Sequence, residues 1–445
     1  MALSPRTPRF GTDGLRGVAN TELTAELALA LGRSSARVLG GTANRRWLIG
    51  RDTRQSGSML TAALAAGLTS EGVDVIDLGV LPTPGVAFAS AAHSIPAAMI
   101  SASHNPFADN GIKLFAPGGR KLDDTTEQRL EAELARPGHP RGSHVGIVST
   151  DPTLADGYET HLAGVPCGRR LDGLRVVVDC ANGAASEVAP RVLRALGAEV
   201  TVIHADPDGS NINAGCGSTY PHDLQEAVRA RGADVGLALD GDADRVLTVD
   251  ASGVLIDGDH LIAMCAIDLH ERGELSDDTV VVTVMTNLGF RIGMQAHGIH
   301  VVETAVGDRA VFAAMEAGDY NLGGEQSGHV IFRDVATTGD GVLTGLWILD
   351  LVRRSDRPLA ELAQAAMSRL PQVLVNVAVA RPHADIAERI APAIADASAS
   401  LGDLGRVLVR PSGTEPLVRV MVEAPTQGRA EAVADRLVKA VESAG

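Results

Sequence analysis

The segment Ile100-Ser101-Ala102-Ser103-His104-Asn105-Pro106 joins an apolar stretch, Ala97 to Ile100, to a polar turn closed by Pro106. Apolar residues running straight into a turn read as a buried strand. The rim of a sheet is where ligands of α/β proteins collect. Ser103 is thereby offered as a nucleophile, although a serine hydroxyl is weak until a base or a metal activates it. His104 is adjacent, but neighbours on an extended chain point opposite ways, which makes it a doubtful base for Ser103. A plain hydrogen-bonded turn fits the same residues.

Leu239-Asp240-Gly241-Asp242-Ala243-Asp244-Arg245 repeats this layout, a strand that ends in chemistry. Carboxylates at alternating positions repel one another and cannot all be buried ionised without a cation. Oxygen ligands alone favour Mg²⁺, which completes its shell with phosphate and water. A solvated acidic turn is the competing explanation. A calcium loop is not, because its closing Glu would fall on Ala251. Arg245 is placed to neutralise a phosphate on the same ion. A hydroxyl, a hard-cation site and Arg-bearing turns together indicate phosphoryl chemistry on a small anion.

Further segments add to this. Arg410-Pro411-Ser412-Gly413-Thr414-Glu415-Pro416, with Arg419 beyond, has the hydroxyls, amides and guanidinium forks of a phosphate cradle; a β-hairpin turn would look alike. Gly323-Gly324-Glu325-Gln326-Ser327-Gly328-His329 sets a carboxylate, an amide, a hydroxyl and an imidazole among glycines, a mixture suited to sugar hydroxyls. Phe10 to Gly17 and Asn110 to Lys113 are expected to hold Arg16 and Lys113 on flexible loops.

These segments need a scaffold. A chain of 445 residues exceeds one core, so two to four domains are expected. Strand-like and helix-like runs alternate through roughly the first four-fifths, which predicts α/β units with crossover helices. Strands are expected at Trp47–Gly50, Val73–Leu78, Leu174–Val178, Val235–Leu239 and Val280–Val284, with helices at Ser58–Glu71 and from Gly341. From Gln372 the order changes to a small α+β unit with an antiparallel sheet, including a helix over Ile386–Ala399. Boundaries near Gly168, Gly253 and Pro371 give units 1–168, 169–253, 254–370 and 371–445.

A net charge of −16 argues against nucleic acid or an anionic membrane as partner. Cys167, Cys180, Cys216 and Cys265 show no CxxC pairing, so reduced thiols are expected and zinc is not. Met1 to Pro8 lacks the apolar core of a signal peptide, and no apolar run is long enough to span a bilayer. A cytoplasmic location is the expectation.

Taken in order from Phe10 to about Glu423, these motifs resemble the α-D-phosphohexomutase superfamily. Phe10–Gly17, Ser101–Pro106, Val306-Gly307-Asp308-Arg309 and Gly323–His329 with Gln326 point to its bacterial branch acting on glucosamine phosphates. Ala310 and Thr219-Tyr220-Pro221-His222 depart from the usual pattern. The resemblance implies three mixed α/β domains around a central cleft and a smaller C-terminal α+β domain. It makes Ser103 a phosphoserine and a metal ligand beside Asp240, Asp242 and Asp244, with one Mg²⁺. Arg16, Lys113, His329 and Arg245 would surround the transferring phosphoryl group. Glu325 and Ser327 would hold sugar hydroxyls, and Arg410, Ser412, Gly413, Thr414 and Arg419 the other phosphate. Asp308 is the candidate partner of a substrate amine, with Arg309 countering phosphate or holding the loop. The implied activity interconverts glucosamine 6- and 1-phosphates through a 1,6-bisphosphate. A glucose or mannose phosphate mutase, a phosphatase and a non-catalytic sensor are the alternatives. A homodimer is compatible with the sequence, which is silent on oligomeric state.

Overall fold

The structure, a computed structural model, describes residues 10–11, 14–39, 45–135, 138, 140, 143–165, 169–379, 385–411 and 417–444. Cys167 and the boundary near Gly168 lie outside them. Four sheets follow one another along the chain. The first contains β1 (Phe10–Gly11), β2 (Gly14–Val18), β3 (Arg46–Arg51), β4 (Asp74–Val80), β5 (Ala97–Ile100), β6 (Asp109–Ala116), β7 (Arg120–Lys121) and β8 (Val148–Thr150). Its order is β1-β2-β6-β5-β3-β4-β8, with β7 paired to β6.

β3 runs parallel to β4 and β5, while β6 is antiparallel to both β5 and β2. Arg16 and Lys113 therefore sit on paired strands, opposite Gly111 and Met99, and not on flexible loops. Cross-strand pairing and burial override the weak strand preference of Asn110 and Gly111. The correction matters for chemistry, because Lys113 is 2% exposed and aimed by a sheet.

The second sheet holds β9 (Arg175–Asp179), β10 (Glu199–Ile203), β11 (Val235–Leu239), β12 (Val246–Asp250) and β13 (Leu255–Ile256), ordered β10-β9-β11-β12-β13. β11 and β12 form a hairpin that pairs Leu239 with Val246, so Asp240–Arg245 is its turn. The third sheet, ordered β15-β14-β16-β17, holds β14 (Thr279–Thr283), β15 (His300–Thr304), β16 (Leu322–Gly324) and β17 (Val330–Phe332). There Gly324 pairs with Val330, and Glu325–His329 is again the turn of a hairpin. Two of the candidate segments are thus held by the same device.

β18 (Gln372–Ala378), β19 (Arg406–Pro411) and β20 (Leu417–Glu423) form the last sheet, antiparallel throughout, in the order β18-β20-β19. The helix expected over Ile386–Ala399 is two, Ile386–Arg389 and Ala391–Leu401, broken just before Pro392. By compactness residues 285–300 and 364–445 form one unit, and 1–284 with 301–363 the other. The helix Leu288–Ala296 joins the C-terminal sheet through Glu423, which is fully buried. Its carboxylate accepts from Asn287 Nδ2 at 3.1 Å, Leu288 N at 3.0 Å and Arg406 Nε at 3.0 Å.

The helices Ala25–Leu39 and Ser56–Ser70 cover one face of the first sheet and touch backbone to backbone. A Cβ on Gly32 would lie 2.3 Å from the Leu64 carbonyl oxygen, and one on Gly67 2.2 Å from that of Leu29. Gly32→Ala should therefore pry the helices apart and cost about 1–3 kcal/mol. A lowered thermal unfolding midpoint checks it; an unchanged one would show that the pair relaxes freely.

Candidate active site

Ser103 leaves β5 in the left-handed region, with φ of 51°. A serine held there needs surrounding contacts that over-determine it. Those contacts come from the end of β3. Asp52 is buried, and burial pushes its carboxyl up, partly countered by Arg54. It accepts from Arg54 Nε at 2.8 Å and from Ser101 Oγ at 2.7 Å, and Ser101 Oγ accepts from Ser103 N at 2.9 Å. Arg54 then spreads its guanidinium over the loop. It donates to the carbonyls of Ser103 at 2.8 Å, Asn105 at 2.9 Å, Asp109 at 3.1 Å and also Pro106. Asn213 Nδ2 adds bonds to Ser103 O and Asn105 O at 2.9 and 3.1 Å.

The left-handed turn also changes the expected relation to His104. Its Nδ1 lies 3.3 Å from Ser103 Oγ, whereas extended neighbours would diverge. Burial, then Arg245 and Arg16, lower the His104 pKa, so the ring is held neutral.

Ser103 Oγ donates to Asp240 Oδ2 at 2.6 Å, across the gap between first and second sheets. Asp242 Oδ2 accepts from Lys113 Nζ at 2.7 Å and from Thr83 Oγ1 at 2.6 Å. Lys113 Nζ is also 3.5 Å from Asp244 Oδ2. Burial and the neighbouring Asp244 and Asp242 push the Asp240 carboxyl well above the usual range. Burial opposes charge on Asp244 too, but Lys113, His329 and Arg245 hold it well below. One oxygen of each Asp in the triplet lies within 4.8 Å of the others. Asp242 Oδ1 and Asp244 Oδ1 are buried with no hydrogen-bond partner among the described residues. A carboxylate cluster this tight, with orphaned oxygens and a serine oxygen bound to Asp240, suits a hard divalent cation.

Arg245 N donates to Asp240 Oδ1 at 3.3 Å, and its Nε lies 3.6 Å from Asp244 Oδ1. Burial disfavours its charge, yet Asp244, Asp240 and Glu325 raise its pKa. His329 lies across Asp244, with Nδ1 3.7 Å from Oδ2. Gly339 N–H donates to His329 Nε2 at 3.0 Å, which leaves the proton of a neutral ring on Nδ1. Burial works against the imidazolium, but Asp244 and Asp308 outweigh it and raise the pKa. Each protonation state thus has its partner, as suits a group that gives and takes a proton.

Asp308 and Arg309 do not form a loop. They open the helix Asp308–Gly318 and pair with the first domain. Lys121 Nζ donates to Asp308 Oδ2, which is 3.6 Å from His329 Nε2. Arg309 binds Asp124 Oδ1 at 2.7 Å and Glu127. Glu325 Oε1 accepts from Gly307 N at 3.0 Å, and Ser327 Oγ has no partner among the described residues. Gln326 Nε2 donates to Asp259 at 3.0 Å.

In the C-terminal unit Arg410 and Arg419 stand opposite each other on β19 and β20. Burial, then Arg419, lower the Arg410 pKa. Facing cations are unfavourable until an anion joins them. Ser412, Gly413 and Thr414 lie outside the described residues.

Asp52, Arg54, Thr83, Lys121, Asn213 and Gly339 join the candidate site in the structure without being among the residues that the sequence singles out. A signal existed for two of them: Arg51-Asp52-Thr53-Arg54 places charges at the end of an apolar strand. Arg54→Lys keeps the charge but loses the fork that spans four carbonyls. It should lower kcat about a hundredfold by misplacing Ser103. A loss confined to stability, with kcat intact in the folded fraction, would refute the positioning role.

Four descriptions match along the chain: "Phosphoglucomutase/phosphomannomutase, alpha/beta/alpha domain I" over residues 7–140, domain II over 156–253, domain III over 257–370 and the C-terminal domain over 374–440. Phosphoglucosamine mutase of Frankia casuarinae is 57% identical over 98% of both chains. That of Mycolicibacterium paratuberculosis is 54% identical over 98% of this chain and 99% of its own. A phosphoglucomutase/phosphomannomutase family protein of Burkholderia thailandensis superposes with a TM-score of 0.83 at 26% identity, over 100% of this chain and 98% of that one. N-acetylphosphoglucosamine mutase of Aspergillus fumigatus, solved with GlcNAc-6P and magnesium, shares the fold. Its TM-score is 0.70 at 20% identity, over 99% of this chain and 96% of that one. The serine lies in the match to domain I, the acidic turn in that to domain II and the Glu325–His329 hairpin in that to domain III, and the chain belongs to the phosphoglucomutase/phosphomannomutase family of the α-D-phosphohexomutase superfamily.

Proposed function

We propose that this chain interconverts glucosamine 6-phosphate and glucosamine 1-phosphate, as a phosphoglucosamine mutase, through phosphorylated Ser103. The carrying observation is Ser103 Oγ, 2.6 Å from Asp240 in a turn of buried carboxylates that Lys113 and Arg245 flank. Asp240, Asp242, Asp244 and the Ser103 oxygen would hold one Mg²⁺. When bound, it supplies positive charge to the oxygens of the group in transfer. Ser103 passes its phosphoryl group to the free hydroxyl of the substrate, giving a 1,6-bisphosphate, and takes the other phosphoryl back after the sugar turns over.

Lys113 and Arg245 stabilise charge on the transferring group, and Arg16 adds to the same field. In a loose transition state such positioning and electrostatics carry most of the catalysis. His329 or the neutral His104 moves the hydroxyl proton. Glu325 and Ser327 recognise sugar hydroxyls. Arg410, Ser412, Gly413, Thr414 and Arg419 hold the phosphate that is not reacting. The product feeds amino-sugar nucleotide synthesis and cell-wall precursors in the cytoplasm. No helix among the described residues is long and apolar enough to cross a membrane.

A coupled assay with glucosamine, glucose and mannose 6-phosphates tests the reading, alongside intact-mass analysis of the active protein. We expect glucosamine 6-phosphate to be preferred and one phosphate to map to Ser103. Full activity in Ser103→Ala would sink the mechanism, and equal turnover of the three sugars would sink the substrate assignment.

Discrimination at C2 falls to Asp308, the acidic side chain placed beside His329 and Lys121. A charge-assisted bond to the substrate's ammonium contributes about 1.5–3 kcal/mol, roughly a ten- to hundredfold preference. Asp308→Ala should therefore lower kcat/KM for glucosamine 6-phosphate much more than for glucose 6-phosphate. An equal loss on both would show that Asp308 serves Lys121 and His329 without selecting the amine.

A further inference from the structure

Beside the strand that leads into the acidic turn, but apart from its carboxylates, three unlike metal-binding side chains meet. Asp179 ends β9, His204 follows β10, and Cys216 lies in the loop beyond. One donor atom of each lies within 4.8 Å of the other two. Asp179 and Cys216 are buried and His204 half-buried. Mixed oxygen, nitrogen and sulfur donors are a set that zinc-class ions take.

We propose that Asp179, His204 and Cys216 form a site for a zinc-class divalent transition metal, separate from the carboxylate turn. His204 Nδ1 is 3.1 Å from Asp179 Oδ2. Two such ligands on one tetrahedral ion stand about 3.3 Å apart, so this edge is nearly preformed. Nδ1 is buried and makes no well-formed hydrogen bond among the described residues. On the far side of the ring, Nε2 faces Asp223 Oδ2 at 3.3 Å. A carboxylate on the distal nitrogen is how a metal-bound imidazole is usually oriented.

The Asp179 carboxylate is oriented as well. Ala181 N–H donates to Oδ1 and Gly217 N–H to Oδ2, both at 2.9 Å, which leaves each oxygen a further lone pair. An ion pair between His204 and Asp179 would explain those two groups but not the thiol pointed at them. Cys216 Sγ receives a long contact from Asn182 Nδ2, 3.9 Å, that does not tie it elsewhere. On binding, the S–H bond is replaced by a metal–sulfur bond and the proton goes to solvent, with no change of oxidation state. Water would complete a four-coordinate shell.

The site would tie together loops that support the serine. Asn182 O accepts from Thr53 Oγ1 at 2.6 Å, and Asn213, between His204 and Cys216, donates to Ser103 O.

Anaerobic titration of the reduced full-length protein with Co²⁺ tests this directly. We expect a thiolate-to-cobalt charge-transfer band at one equivalent, bleached by Zn²⁺. The band should vanish in Cys216→Ser and persist in Asp242→Asn, whose site offers oxygen ligands alone. His204→Asn, chosen because residue 204 is left-handed at φ 47°, should weaken cobalt binding at least about tenfold. Absence of the band from wild-type protein overturns the proposal, as does its survival in Cys216→Ser.

Discussion

Repulsion among three buried carboxylates is the constraint around which the first unit is arranged. Asp240, Asp242 and Asp244 share one buried hairpin turn, where three like charges cannot stand together without compensation. The compensation comes from separate elements: Ser103 after β5, Lys113 on β6, Thr83 at a helix start, and His329 from the β16–β17 turn. Each contact is long in sequence, so the acidic turn acts as an electrostatic hub for elements of three sheets. A divalent cation would complete the balance, since two carboxylate oxygens still lack a hydrogen-bond partner among the described residues.

The serine depends on a second layer. Its left-handed backbone is costly, and Asp52 and Arg54 supply the order that sustains it. An arginine buried under a loop, with one carboxylate partner and several carbonyls, is satisfied in full, and it fixes the loop's path instead of its chemistry. The loop therefore presents Oγ to Asp240 without any adjustment of its own.

How much of this could be read beforehand varies with the range of the interaction. Ser103, the Asp triplet and the Glu325–His329 turn were legible, because each motif is contiguous and abuts an apolar run. The alternation of elements also gave the three α/β units and the antiparallel C-terminal sheet. Lys113 reads from the sequence as a cation on a loop, since Asn110-Gly111 looks like a turn until β2 and β5 are there to pair with it. Arg54, Asn213 and Lys121 act through partners about fifty or more residues away, and nothing in their local sequence names those partners. The Asp179–His204–Cys216 cluster is a stronger case. Absence of CxxC spacing excluded zinc by local reasoning, whereas the fold assembles donors from three separate segments.

Gly339 carries a consequence for how this site can vary. Its N–H holds His329 Nε2, and a Cβ on it would lie 2.6 Å from three atoms of the imidazole ring. Main chain therefore packs directly on the ring, and a side chain at 339 has nowhere to go. Ordinary substitution cannot retune this contact. If Asp308 and Ser327 meet the sugar as proposed, a lineage changing its sugar would rewrite those positions while the histidine and its glycine stay as they are.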